Sequence, residues 1–184
     1  MLKMRIIPTL LWKDHGLVKG KSFDSWRQVG TVLPAIKVYN TRQVDELILV
    51  DITATEEKRD LNYDEIEKYT SESFVPLTIG GGINNIAQIR KLLLSGADKV
   101  CINSAAYSNP NFIKEASNIF GTQCIVISID VTKTNSIFEC YSHSGTRATG
   151  KELTEHCQKM ESYGAGEILI TSIPHDGYME GYDY

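Results

Sequence analysis

Six short apolar runs, rich in β-branched residues and without internal polar alternation, recur along this chain, and each is followed by a segment long enough for a helix. A strand that reads as continuously hydrophobic is buried on both faces, which happens when helices cover both sides of a parallel sheet. The runs place strands at 5–10, 46–51, 76–79, 99–102, 124–130 and 167–171, with helices at 32–42, 64–72, 86–95, 111–120 and 149–163. Asn62 or Asp64 and the pair Asn109-Pro110 supply helix-start signals, and Gly96 and Gly164 follow helical segments as C-terminal glycines do. The expected fold class is α/β, a (β/α)8 TIM barrel, with an open doubly wound sheet as the structural rival.

The run that begins at Glu46 is echoed by the one that begins at Glu167, and the run at Ile6 by the one at Ile125. Two similar half-barrels predict eight strands, whereas only six β/α units can be read. Residues 1–184 are therefore expected to form a single incomplete barrel domain, lacking about 70 residues of a typical ~250-residue barrel. An open barrel of that kind is expected to associate through its unpaired strand edges.

Composition narrows the class further. With 42% hydrophobic and 23% charged residues and a net charge of −4, the chain has no basic stripe for nucleic acid. No apolar run approaches a membrane span, and no signal peptide is evident. Cys101, Cys124, Cys140 and Cys157 show no C-x-x-C spacing, which fits reduced thiols and a cytoplasmic setting. His15, His143, His156 and His175 have no ligand-like spacing, so neither metal nor cofactor is expected.

Three groups of residues carry chemistry. Pro76-Leu-Thr-Ile-Gly-Gly-Gly82 ends a strand in three glycines, which suits either close backbone approach to a phosphate or a tight turn. Asn103 and Ser104 offer donors at the end of the next strand. Asp51, Asp130 and Asp176 stand at strand C-terminal ends, the face where barrel active sites form. For Asp130, closing an apolar run, the readings are acid–base work or the N-cap of a following helix. Finally, Arg5, Glu46, Lys99 and Glu167 each begin a strand. They would meet at the N-terminal mouth as a salt-bridged ring, either a gate or the polar floor that barrels commonly have.

The chain resembles the cyclase subunit of imidazole glycerol phosphate synthase along its whole length. The likeness rests on Arg5-Ile-Ile-Pro8, Val18-Lys-Gly20, Asp51-Ile-Thr-Ala54, Leu77-Thr-Ile-Gly-Gly-Gly-Ile83, Ala97-Asp-Lys-Val-Cys-Ile-Asn-Ser-Ala-Ala106, Gly121-Thr-Gln-Cys124 and Gly164-Ala-Gly-Glu-Ile-Leu-Ile-Thr-Ser172. Asp176-Gly177 and Gly181-Tyr-Asp183 extend it. The resemblance implies a partner glutaminase that docks under the barrel, with Asp98 facing it. It also implies an ammonia gate of Arg5, Glu46, Lys99 and Glu167, and a phosphorylated substrate at the opposite face. Lys19, Gly81, Gly82, Asn103, Ser104, Thr171, Asp176 and Gly177 would hold that substrate and its phosphates, with Asp130 as one of two catalytic aspartates.

At the position of the other aspartate this sequence has Leu11, and Asp14 lies too far along the loop to replace it. Pro8-Thr-Leu-Leu11 followed by Gly16-Leu-Val-Lys19 is similar to paralogues that serve acetamidino-sugar synthesis for surface glycans. The resemblance therefore implies ammonia delivery with altered imidazole chemistry. The alternatives are the histidine-biosynthetic cyclase itself and an inactive binding module.

Overall fold

The computed structural model describes residues 4–183. Its strands are β1 (Thr9–Lys13), β2 (Gly16–Lys21), β3 (Asp24–Gly30), β4 (Leu47–Asp51), β5 (Leu77–Gly80), β6 (Lys99–Ile102), β7 (Ile125–Thr134), β8 (Ile137–Ser142), β9 (Arg147–Glu152) and β10 (Glu167–Ser172). The helices are α1 (Val32–Thr41), α2 (Ala54–Glu57), α3 (Tyr63–Glu72), α4 (Ile86–Leu94), α5 (Ser104–Ser108), α6 (Pro110–Phe120) and α7 (Leu153–Ser162).

Six strands form a parallel staircase in chain order, β1-β4-β5-β6-β7-β10. Each is hydrogen-bonded to the next without the reversal of direction that a doubly wound sheet requires, so the fold is a partial (β/α) barrel. Two contacts draw β10 toward β1 across the remaining gap: an ion pair between Arg5 and Glu167, and a backbone bond from Ser22 N–H to Asp176 O at 3.0 Å.

The helices cover the outside for the reason the periodicity gives. Ile89 and Leu92 of α4, and Phe112, Ile113 and Ala116 of α6, recur at helical spacing and are buried against the strands. Burying each large aliphatic side chain contributes about 1.5–3 kcal/mol. Asn62 and Asn85 cap α3 and α4 by accepting from the N–H groups of Glu65 and Gln88. Gly96 and Gly164 take φ of +91° and +95° just past α4 and α7.

The structure corrects several expectations. Strand one runs Thr9–Lys13 rather than 5–10, because its ladder with β4 starts at Thr9 and its pairing with β2 carries it on through Lys13. β7 runs past Asp130 to Thr134, so Asp130 caps no helix. Residues 149–152 form β9 rather than the start of α7, which opens at Leu153. The unforeseen strands belong to two antiparallel extensions, β1-β2-β3 and β7-β8-β9. β1's edge is consequently covered by β2 along Leu11, Trp12 and Lys13.

One buried group makes stability depend on pH. His156 in α7 is 2% exposed, stacks on Tyr107 at 4.3 Å, and has no hydrogen-bond partner on either ring nitrogen among the described residues. Burial, helped by Lys151 and Lys159, lowers its pKa to about 4. The unfolded chain takes up that proton near pH 6.5, so stability is complete above about 6.5 and falls as pH drops toward 4. The loss is about 3 kcal/mol. Urea denaturation at pH 7 and pH 4.5 checks this: His156→Phe removes most of the decline, and an equally steep decline in the variant refutes it.

Candidate functional site

Side chains alternate along each core strand, so every second residue points into the barrel. From floor to rim the inward positions of β1 and the residues before it are Arg5, Ile7, Thr9 and Leu11. Those of β6 are Lys99, Cys101 and Asn103, those of β7 include Ser128 and Asp130, and those of β10 are Glu167, Leu169 and Thr171. A cavity of about 880 Å³ is lined by Ile7, Thr9, Leu11, Cys101, Asn103, Ser128, Asp130, Leu169 and Thr171, together with loops at the strand C-terminal ends.

Four charges meet at the floor. Arg5 bonds Glu46 and, at 3.1 Å, Glu167; Lys99 Nζ bonds Glu46 at 2.6 Å and Glu167 at 3.0 Å. Positive and negative groups thus alternate around a closed ring. Lys99 and Glu46 are the shielded members, with side chains 15% and 10% exposed, and Arg5 the most open. Burial alone would raise the pKa of Glu167, but hydrogen bonds from Lys99 and Arg5 outweigh it and hold the carboxyl below its ordinary value. Burial likewise works to lower Lys99, and its bonds to Glu46 and Glu167 reverse the direction. Arg5, Lys99 and Glu167 are each held toward the charged form by these bonds. Asp98, exposed beside it, accepts from Leu77 N–H at 2.8 Å and so ties the start of β6 to β5.

At the rim, Asp130 is 7% exposed and its Oδ2 accepts from Asn103 Nδ2 at 2.8 Å. Burial raises its pKa to about 7, against the hydrogen bond from Asn103 and with help from the charge of Asp176. Asp176 sits on the turn after β10, where burial also raises it against a backbone bond from Phe23. Leu11 faces the same cavity from the opposite side of the strand sequence, and Asp14 lies in the β1–β2 turn at φ +52°.

Asp51 has a different task. Its Oδ1 accepts from Thr53 N–H, Thr53 Oγ1 and Ala54 N–H, and Arg59 grips the carboxylate with both terminal nitrogens at 2.8 and 3.1 Å. Five hydrogen bonds hold the carboxylate, so Asp51 folds the β4 loop. Gly81 explains why the glycine run follows: a Cβ there, at φ +122°, would lie 2.5 Å from Asp51 O. Gly81 and Gly82 also line the cavity beside Asn103 and Ser104.

Of the expected substrate residues, Gly81, Gly82, Asn103, Ser104, Thr171 and Asp176 come together around one cavity. Lys19 does not join them; it is exposed on β2, opposite Arg27. Gly177 is outside the lining too, and a Cβ on it would meet Gly20 O at 2.1 Å, so it serves the close approach of two loops.

His143 and Ser144 were not foreseen. The β8–β9 turn folds over the rim, where His143 N–H bonds Ser104 Oγ and Ser144 Oγ bonds Ile52 O, each at 3.0 Å. Both residues have positive φ, a conformation that neither sequence position advertises. Burial, and secondarily Arg147, lowers the pKa of His143.

A charged ring at one end and a polar, carboxyl-bearing cavity at the other are carried by a partial parallel β/α barrel, which defines the class as a β/α-barrel protein. The family model described as "Histidine biosynthesis protein" matches residues 5–184. The imidazole glycerol phosphate synthase subunit HisF of Staphylococcus saprophyticus is 46% identical over 185 residues, an alignment that covers 100% of this chain and 73% of that protein. The chain belongs to the histidine biosynthesis protein family, and within it is HisF-like. Among the described residues no helix is long and apolar enough to cross a membrane.

Proposed function

We propose that this chain is a cyclase-type, ammonia-receiving subunit whose glutaminase partner docks on the floor of the barrel. The observation that carries the reading is the closed Arg5–Glu46–Lys99–Glu167 ring, which stands directly below the inward-facing column leading to the cavity. Small neutral ammonia can pass where a hydrated ion cannot. Exposed apolar groups surround the same end: Met4 and Ile6 before β1, Phe74 before β5, and Leu94 at the end of α4. Asp98 contributes a carboxylate to that face. Such a rim of isolated apolar side chains around charge suits a protein partner.

In this reading Gly81, Gly82, Asn103 and Ser104 cradle a phosphate, Lys19 and Gly177 lie at the edge of the substrate site, and Asp130 moves protons. Leu11 removes the second aspartate, so the chain serves acetamidino-sugar synthesis for surface glycans, with ammonia delivery retained and imidazole chemistry altered. The histidine-biosynthetic cyclase is the second reading, favoured by the 46% identity to a HisF protein. Supplying a ribulosyl nucleotide and ammonium salt to the full chain separates them: imidazole glycerol phosphate formed at a full cyclase rate overturns the surface-glycan reading.

The gate has its own test. Lys99→Met leaves Glu46 and Glu167 with Arg5 alone, at an expected cost of about 2–3 kcal/mol in this half-open setting. In complex with the glutaminase, ammonia released from glutamine should then escape to solvent instead of reaching the cavity. Unchanged ammonia retention in a folded variant would remove the ring from the route.

A further inference from the structure

The β2–β3 hairpin brings to the cavity an aromatic ring that the phosphate cradle does not use. Trp26 of β3 lines the cavity, whereas Trp12, the other tryptophan, is 3% exposed and donates its indole N–H to Asp14 O at 2.9 Å. A register shift sets Trp26 there. Lys19 pairs with Arg27 and Lys21 with Asp24, so β3 uses one residue more than β2 around Gly20. Ser25 takes up the extra residue at φ +54°. Such a bulge bends its strand and re-aims the side chain beside it. Gly20 then makes room for the ring: a Cβ on Gly20 would lie 2.7 Å from Trp26 Cε3 and 2.8 Å from Cζ3. The indole therefore rests against the β2 backbone while also facing the cavity.

The hairpin is itself held by the turn after β10. Ser22 N–H bonds Asp176 O at 3.0 Å, Lys21 Nζ stands 5.3 Å from the centroid of the Tyr178 ring, and the Gly177 backbone closes on Gly20 O. Asp176 also lines the cavity, and its Oδ2 is buried with no hydrogen-bond partner among the described residues. An apolar face and an unsatisfied carboxyl oxygen are thus fixed on one stretch of the rim. That combination suits a sugar ring. Its C–H groups are drawn to the negative face of an indole, and a hydroxyl, which donates or accepts, satisfies Asp176 Oδ2 in either protonation state. Thr9, Thr55, Ser108 and Thr171 add further hydroxyls to the lining, which suits a ligand that carries several of its own.

We propose that Trp26 is a platform for the ring of a phosphorylated pyranose, with Asp176 Oδ2 bonded to one of its hydroxyls. The proposal rests on the reading that Gly81, Gly82, Asn103 and Ser104 cradle a phosphate, and it deepens the surface-glycan reading by naming the class of molecule that the cavity holds. A cavity of about 880 Å³ has room for such a ligand. Because the bulge and the turn after β10 fix the hairpin, the indole is in place before the ligand arrives, and little ordering cost falls on binding.

Tryptophan emission of the full chain tests the platform without ammonia or glutaminase. Trp12 is sealed in the core, so a ligand in the cavity reports through Trp26. N-acetylglucosamine 1-phosphate should shift the emission and bind about tenfold more tightly than glycerol 3-phosphate, which carries the phosphate without the ring. Trp26→Ala should remove that advantage and leave glycerol 3-phosphate binding, followed by calorimetry, unchanged. The parent titration alone decides the matter if the variant fails to fold. Equal affinity for the two phosphates in the parent, an advantage that survives Trp26→Ala, or tighter binding of adenosine monophosphate than of the sugar phosphate overturns the proposal. Free N-acetylglucosamine tells this failure from a failure of the phosphate cradle. If neither phosphate binds, a shift of Trp26 emission by the free sugar keeps the platform, and its absence overturns it. None of these outcomes needs the cyclase assay, which judges the surface-glycan reading separately.

Discussion

Leu11→Asp raises the turnover of a ribulosyl nucleotide and ammonium salt to imidazole glycerol phosphate by about 10²–10⁴-fold, the range that one positioned acid–base group contributes. The position is suited to it. Leu11 pairs with Val50 on one side and Val18 on the other, which fixes its direction, and its side chain faces the cavity that Asp130 enters from β7. Because Leu11 is only half-buried, an aspartate there stays hydrated enough to ionise and costs little stability. Neighbouring Leu10 and Trp12 face the helices and are buried, so the substitution leaves the core untouched. A folded variant with no gain would mean that more than this aspartate separates the cavity from imidazole chemistry. The assay is a single-turnover measurement of product on the full chain.

Asp51→Ala is expected to cost about 2–4 kcal/mol of stability: the carboxylate is the buried partner, but the Arg59 side chain it leaves behind is 37% exposed and partly regains water. The carboxylate is 3% exposed and receives bonds from Thr53, Ala54 and Arg59. Without it the Arg59 guanidinium keeps only Glu57 and Thr53 Oγ1, and two backbone N–H groups at the start of α2 lose their acceptor. Gly81 would no longer face an ordered loop, so the glycine run should loosen as well. Urea denaturation with a fixed m-value measures the change, and a loss under about 1 kcal/mol contradicts the assignment.

These two positions show how unevenly the site was legible. The place of Leu11 was legible through the family resemblance and not through periodicity, which ends strand one at residue 10. The structure runs β1 to Lys13 and sets Leu11 in the cavity lining. The role of Asp51 was not legible. As a carboxylate at a strand end it reads like Asp130, and only the arrival of Arg59 from beyond α2 separates an anchoring group from a proton carrier. The unread strands have a comparably specific cause. The β2–β3 connection is a two-residue turn with positive φ at Ser22 and Phe23, and the β7–β8 connection places Asn135 and Ser136 in the same conformation. Such turns usually announce themselves with Asn-Gly or Asp-Gly. Ser-Phe carries no signal, and Asn-Ser a weak one.

The sequence by itself determined the order of β/α units, the faces that the helices bury, and the four charges at the strand starts. These are local or periodic properties: parallel strands bring Arg5, Glu46, Lys99 and Glu167, at or before their starts, to one end, and the two-residue repeat turns them inward. Only the tertiary structure decided that the four close into one hydrogen-bonded ring. It alone decided that Asp51 is committed to Arg59 and that the β8–β9 turn lies across Ser104 and Ile52. Each of those depends on distances between segments far apart in the chain, set by the packing and stagger of neighbouring strands, and no local pattern records them.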